Sequence, residues 1–142
     1  MFMKQLTVFI ENREGRIEKV TDILAKNNIN IVCLSLADTS EYGMLRMIVS
    51  EPDRAKQVLK DADFSARLTE VLAVRLEQNF GMLAKLTGSM SQKDINIEYM
   101  YTLNCSKEAG AIIIKCTDKE KALEAVKEAG LELVDPETVY SI

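Results

Sequence analysis

The sequence predicts an α+β protein: two copies of one β-α-β-β-α-β unit packed together. Three observations carry this. The chain repeats itself at an offset of 66 residues, each copy presents strand-like and helix-like segments in the same order, and 47% of its 142 residues are hydrophobic. That apolar content suits a packed globular protein rather than a disordered chain. Residues 5–31 align with residues 71–97. Matching pairs include Glu11/Glu77, Gly15/Gly81, Lys19/Lys85, Thr21/Thr87 and Ile29-Asn30-Ile31 with Ile95-Asn96-Ile97. After one inserted residue the match resumes, with Gly43/Gly110, Ser50/Thr117, Ala55/Ala122 and Ala62/Ala129. A single insertion is natural in a hairpin loop. Two copies, residues 1–70 and 71–142, are the expected domains.

Residues 6–10 (LTVFI) are rich in β-formers and end at turn residues, which predicts a strand. Ile17, Val20 and Leu24 then recur at helical spacing. Asn27-Asn28 closes that helix, because Asn tolerates the left-handed conformation. Residues 29–37 and 44–49 read as a second and a third strand, with the polar residues 38–42 as the hairpin between them. Ser50-Glu51-Pro52-Asp53 resembles a capping box with proline in the first turn. Ala55, Val58, Leu59 and Ala62 line one face of the helix that follows. Residues 66–70 make a fourth strand. Residues 68–76 stay strand-like without a linker, so the copies are expected to pack closely.

Copy two repeats this grammar. Thr117-Asp118-Lys119-Glu120 is the matching capping box, Ala122, Ala125, Val126 and Ala129 form the matching stripe, and Gly130 stands where a helix would close. The order β-α-β-β-α-β, found twice, is that of the ferredoxin-like split βαβ motif. Right-handed crossovers put both helices of a copy on one face of its sheet, and the other face must be covered or polar.

Composition excludes several functions. The chain has no histidine, so no Ser-His-Asp triad, Cys-His pair or histidine-ligated zinc can form. With 18 basic and 22 acidic side chains, the net charge of −4 argues against nucleic-acid binding. Cys33, Cys105 and Cys116 are odd in number and form no C-x-x-C, so neither a disulfide framework nor a zinc cluster is indicated. No cofactor is implied. Cys33 and Cys116 fall in strands and should pack as small hydrophobes, whereas Cys105 lies in a hairpin loop and could be exposed. The N-terminus shows no signal-peptide pattern and no apolar run is long enough for a membrane span. A cytoplasmic, soluble protein is the expectation. Tyr99 and Tyr101 share a strand face, but an acidic chain favours core or interface packing over stacking on RNA.

Function is sought in the strand-to-helix loops, residues 11–16 and 77–82. Glycine there permits positive φ, and the first helical N–H groups follow with partial positive charge and no internal partners. Such a place suits a carboxylate. Asn12, Asn30, Gln78 and Asn96 offer donors and acceptors together, as a zwitterionic amino acid requires. Arg13 or Arg16 could add a charge-assisted bond. Each residue also has a plainer reading: Gly15 and Gly81 as turn glycines, Asn30 and Asn96 as backbone caps, Arg13, Glu14 and Arg16 as a solvated loop.

The run E-N-R-E-G-R-I (residues 11–17), followed by a helix and then N-I-N-I (residues 28–31), resembles the ACT domain, a small-molecule-binding regulatory module. Its turn is similar to the H-E-N-R-P-G form of serine-sensing phosphoglycerate dehydrogenases. The resemblance covers nearly the whole chain as two modules in tandem. It implies that Asn12 and Asn30 hold an effector amino acid, with Gln78 and Asn96 as their counterparts. The implied ligand-binding set is Asn12, Arg13, Gly15, Arg16, Ile17 and Asn30 in copy one, and Gln78, Asn79, Gly81, Met82, Leu83 and Asn96 in copy two. Glu14 and Phe80 replace the motif proline, and Ile10 and Leu76 stand where the family has histidine. One hydrogen bond to an effector is therefore missing. In the family the effector sits between two modules, the glycine loop of one facing strand two of the other.

Three functions stay open. The first is an amino-acid or small-carboxylate sensor that modulates a metabolic enzyme or its own assembly, as a homodimer. The second is a ligand-free dimerisation module. The third is a small enzyme using Glu11, Glu77 or a tyrosine, for which no converging acid-base pair is found.

Overall fold

The computed structural model describes residues 1–38, 41–77, 79–104 and 110–142. Its elements run β1 (Met3–Glu11), α1 (Arg16–Lys26), β2 (Ile31–Asp38), β3 (Tyr42–Val49), α2 (Pro52–Asp61), β4 (Ser65–Leu76), α3 (Met82–Gln92), β5 (Ile97–Asn104), β6 (Gly110–Cys116), α4 (Lys119–Glu128) and α5 (Pro136–Tyr140). The chain divides into two compact units. The N-terminal unit holds Lys4–Thr69 and Tyr140–Ile142, and the C-terminal unit holds Met1–Met3 and Glu70–Val139. β4 is one strand of 12 residues, with its first five in the N-terminal unit and the rest in the other. The almost continuous strand-like run at residues 68–76, with no Pro or Gly to break it, is the reason.

In the N-terminal unit β1 is central and pairs antiparallel with β3, Leu6 opposite Met47 and Val8 opposite Leu45. β3 then pairs antiparallel with β2. Side chains alternate across a strand, so Leu6, Val8, Ile10, Leu45, Met47 and Val49 form one buried face. Val20 and Leu24 of α1 and Ala55 and Leu59 of α2 complete that core. The opposite face of β1 is buried too. It carries Gln5 and Thr7, and Gln5 Nε2 donates to Thr7 Oγ1 at 3.1 Å. Ile17, expected on the buried stripe of α1, is 38% exposed. It lies in the first turn of α1.

The C-terminal unit repeats the pattern. β6 pairs antiparallel with both β4 and β5. Leu72, Val74, Ile112 and Ile114 meet Leu86 and Met90 of α3 and Ala122, Ala125 and Val126 of α4. A register irregularity falls between Ile31 and Cys33 in β2, and again between Ile97 and Tyr99 in β5. A bulge kept at the same place in both copies behaves as part of the fold.

The four long helices end alike. Asn28, Asp63, Asp94 and Gly130 take positive φ of 56, 66, 55 and 71°. The apolar residues that follow, Ile29, Phe64, Ile95 and Leu131, donate their N–H back to Leu24, Leu59, Met90 and Val126 at 2.9–3.1 Å. All four apolar residues are buried. This is the left-handed helix stop with its accompanying hydrophobic contact. Asn28 and Gly130 were legible from sequence, and the two aspartates serve because a short polar side chain tolerates this region.

Two expectations are corrected. Neither capping box forms. Glu51 is the N-cap of α2 with no side-chain bond, while Ser50 Oγ instead accepts the Asn30 N–H at 2.9 Å. On α4 the cap is Asp118, whose carboxylate accepts the Lys121 N–H at 3.0 Å, so the cap sits one residue later than Thr117. Copy two also lacks a regular fourth strand. Leu133 makes an isolated bridge to Val74, flanked by Arg75 N–H to Glu132 O at 2.8 Å and Val134 N–H to Ala73 O at 2.9 Å. Pro136 has no N–H to extend this pairing, and the chain turns into α5 there.

Cys116 is buried at 3% exposure and free, and Cys33 is half-buried. Cys105 lies outside the described residues. Burial pushes the Cys116 thiol up, with Lys115 opposing more weakly. The thiolate is thus penalised in the folded state. Stability from this group is present at neutral pH and is lost as pH rises through the thiol range, where the unfolded chain ionises first. Alkylation of native protein at pH 8, read by peptide mass spectrometry, should leave Cys116 unmodified until denaturant is added.

Candidate functional site

The glycine loops are the same structure twice. Gly15 precedes α1 with φ 82°, Gly81 precedes α3 with φ 86°, and neither helix has a side-chain cap. No side chain therefore caps the first-turn amides, although Met82 N–H reaches the Asn79 carbonyl at 3.5 Å. Each loop is tied by a tight backbone bond, Arg13 N–H to Glu11 O at 2.9 Å and Asn79 N–H to Glu77 O at 2.8 Å. Nothing lies within 4 Å of a Cβ built on Gly15. Gly15→Ala should thus cost only the left-handed backbone penalty, about 1–2 kcal/mol, visible in a denaturation curve.

Asn12 is exposed, and its N–H donates to Glu41 O at 3.1 Å, which fixes the loop against the β2–β3 connection. Arg13 pairs with Glu11 at 2.6 Å. Arg16 stacks its guanidinium over Phe64, 4.7 Å from the ring centroid. In copy two Asn79 Nδ2 donates to Glu77 at 3.1 Å, Leu83 is exposed and Met82 is half-buried. Gln78 lies outside the described residues.

Asn30 and Asn96 are placed elsewhere. Both follow the C-terminal end of their helix, whereas the glycine loops precede the N-terminal end. An 11-residue helix separates the two places, about 16 Å at 1.5 Å per residue. Within one unit the loop and the strand-two Asn do not converge. In the C-terminal unit they border separate depressions. Met82 lines a cavity of about 300 Å³ with Arg75, Glu77, Lys85, Leu131 and Glu132. Asn96 lines a more open groove of about 450 Å³ with Thr87, Ser91 and Asp94. Asn30 is also engaged. Its N–H meets Ser50 Oγ, its carbonyl accepts the Ser50 N–H at 2.9 Å, and its Nδ2 donates to the Ile142 carbonyl at 3.0 Å.

Arg75 and Lys85 were missed from sequence. The available signal was Arg75 itself, a cation interrupting the apolar run at residues 71–76. Among the described residues no group of three or more His, Cys, Asp or Glu side chains could hold a metal, and no helix is long and apolar enough to cross a membrane.

A family model described as an ACT domain pair matches residues 1–142. The chain belongs to the ACT domain pair family. Among solved structures, this ACT pair is similar to protein BT0572 from Bacteroides thetaiotaomicron, with TM-score 0.93, 37% identity, and coverage of 100% of this chain and 98% of that one. It shares its fold with two regulatory subunits of aspartate kinase. That of Thermus thermophilus matches with TM-score 0.60 at 21% identity, covering 89% and 91% of the two chains. That of Thermus flavus matches with TM-score 0.62 at 22% identity, covering 89% and 92%. No curated protein sequence matches the chain.

Proposed function

We propose that this ACT pair is a non-catalytic sensor of an amino acid or similar small carboxylate, acting in the cytoplasm, that converts occupancy into altered association with a second copy or with a metabolic enzyme. The observation that carries the reading is the duplicated, uncapped helix N-terminus behind a left-handed glycine. It offers backbone donors to a carboxylate in each unit. The distance from loop to strand-two Asn adds the coupling. A ligand held by both needs the loop of one unit and the strand-two Asn of another, within the pair or from a second chain, and where a second chain supplies it binding favours the associated state. β2 supports the second chain. It ends the strand order, and Leu34 and Leu36 on it are 51% and 49% exposed. An exposed apolar edge invites sheet extension. The same edge favours a second reading, a dimerisation module that needs no ligand.

A thermal-shift screen of the proteinogenic amino acids, paired with sedimentation analysis, separates the two. A ligand at 100 times its Kd adds about 2.7 kcal/mol, roughly 5–10 °C in Tm for a chain of this size. A selective shift accompanied by a change in mass supports the sensor. A constant dimer with no shift for any amino acid supports the second reading and sinks the first.

A further inference from the structure

The two strand-two asparagines are equivalent by the repeat but differ in what they hold. Both accept the same backbone bond, Ser50 N–H to the Asn30 carbonyl at 2.9 Å and Thr117 N–H to the Asn96 carbonyl at 3.1 Å. Their side chains part company. Asn30 Nδ2 donates to the Ile142 carbonyl at 3.0 Å. Asn96 is exposed, makes no side-chain hydrogen bond among the described residues, and borders the open groove of about 450 Å³.

The difference comes from a segment that copy one alone receives. Residues Tyr140–Ile142 group with the N-terminal unit, although the residues before them, through Val139, belong to the C-terminal unit. The root of the segment is firmly held. Val139 is fully buried, and the Tyr140 hydroxyl accepts the Lys4 N–H at 2.7 Å. Beyond that root Ser141 and Ile142 are exposed, Ile142 at 49%. Apolar burial therefore does little to hold them, and polar contacts such as the Asn30 bond decide their position. One such bond favours the held state by roughly 2- to 12-fold. We propose that residues 141–142 are a latch on the N-terminal unit, displaced by an effector that takes the Nδ2–H now given to Ile142. Occupancy at Asn30 is then reported as release of that segment. Two acceptors compete for one donor, so the coupling is reciprocal. The effector loosens the latch, and the latch weakens the effector by the same factor. Loss of order in a short segment is an established way of passing on a binding event. Asn96 carries no such contact among the described residues, so the device acts on one unit of the pair. The proposal rests on the sensor reading and adds its output.

The test is backbone amide relaxation by NMR on the full chain, giving order parameters for residues 139–142. It is run on the protein alone and with each proteinogenic amino acid, with Tm measured in parallel. The variants are Asn30→Ala and Asn96→Ala, and the Tm of each without ligand checks its fold. In the unliganded protein Ser141 and Ile142 should show the order parameter of rigid backbone, about 0.85, and in Asn30→Ala they should fall below about 0.6. Val139 and Tyr140 should stay ordered in both, and Asn96→Ala should change none of the four. An amino acid whose Tm shift depends on Asn30 should produce the same fall in the unaltered protein. Residues 141–142 already disordered without ligand, or still ordered in Asn30→Ala, overturn the latch. A Tm shift lost in Asn30→Ala, from an amino acid that leaves residues 141–142 ordered when bound, overturns the displacement and leaves the sensor standing. A shift lost only in Asn96→Ala does the same, because it places the effector in copy two. No shift with any amino acid sinks the sensor reading and the gating with it.

Discussion

Replacing Leu24 or Leu86 by alanine is expected to lower stability by about 2–5 kcal/mol, and Tm by roughly 4–20 °C, in a denaturation experiment. Both side chains are fully buried. Leu24 belongs to the core of the N-terminal unit and Leu86 to that of the C-terminal unit. Truncation removes apolar contact and leaves a cavity that two packed helices and a sheet cannot close. Leu24 has a second duty, since its carbonyl accepts the Ile29 N–H that stops α1 at 2.9 Å. The backbone bond survives the substitution, so the loss reads packing alone. Leu34→Ser and Leu36→Ser are the control. These residues are half-exposed on β2, and serine there should move monomer stability by no more than about 0.5 kcal/mol. Any larger effect must appear in association, and its absence there would remove β2 as a docking edge.

The second large effect concerns Asn30. Its Nδ2 donates to the Ile142 carbonyl at 3.0 Å. The same segment is held by the Tyr140 hydroxyl, which accepts the Lys4 N–H at 2.7 Å. An effector that takes the Nδ2–H now given to Ile142 must displace that carbonyl first. Deleting Ser141 and Ile142 should therefore tighten effector binding by the worth of one hydrogen bond, about 0.5–1.5 kcal/mol, or roughly 2- to 12-fold. Asn30→Ala should act in the opposite direction and by more, because it removes the ligand's bond in every state. Titration of the three proteins with the effector found in the screen decides this. If deletion and substitution both leave affinity unchanged, Asn30 only anchors Ser50 and the chain end.

The site was legible in part because its signals are local. Gly15 and Gly81 stand where only a residue tolerant of φ above 80° fits, and that demand is written at one position. Asn12 could be assigned to the same loop because it is three residues away. Asn30 and Asn96 could be placed at strand starts by periodicity, after the helix that follows the glycine loop. The 11 residues of α1 and α3 set the separation. The cavity beside α3 was not legible. It is made by Arg75, Lys85 and Glu132, which are 57 residues apart at the extremes and meet only through the Val74–Leu133 bridge and the first turn of α3.

What the sequence determined alone is the β-α-β-β-α-β order of copy one and its repeat through α4 in copy two, the apolar faces and the left-handed stops at Asn28 and Gly130. Each depends on interactions among residues a few positions apart, where strand alternation, helical spacing and backbone sterics act directly. What the tertiary structure decided is who partners whom. Ser50 binds Asn30 rather than its own helix, Asn30 binds Ile142 over 112 residues, and copy two spends its fourth strand on a single bridge before Pro136. A hydroxyl or amide has the same short-range options everywhere in a sequence. Which one it takes depends on the groups that chain folding brings within about 3 Å, and that distance is fixed by packing rather than by neighbouring residues.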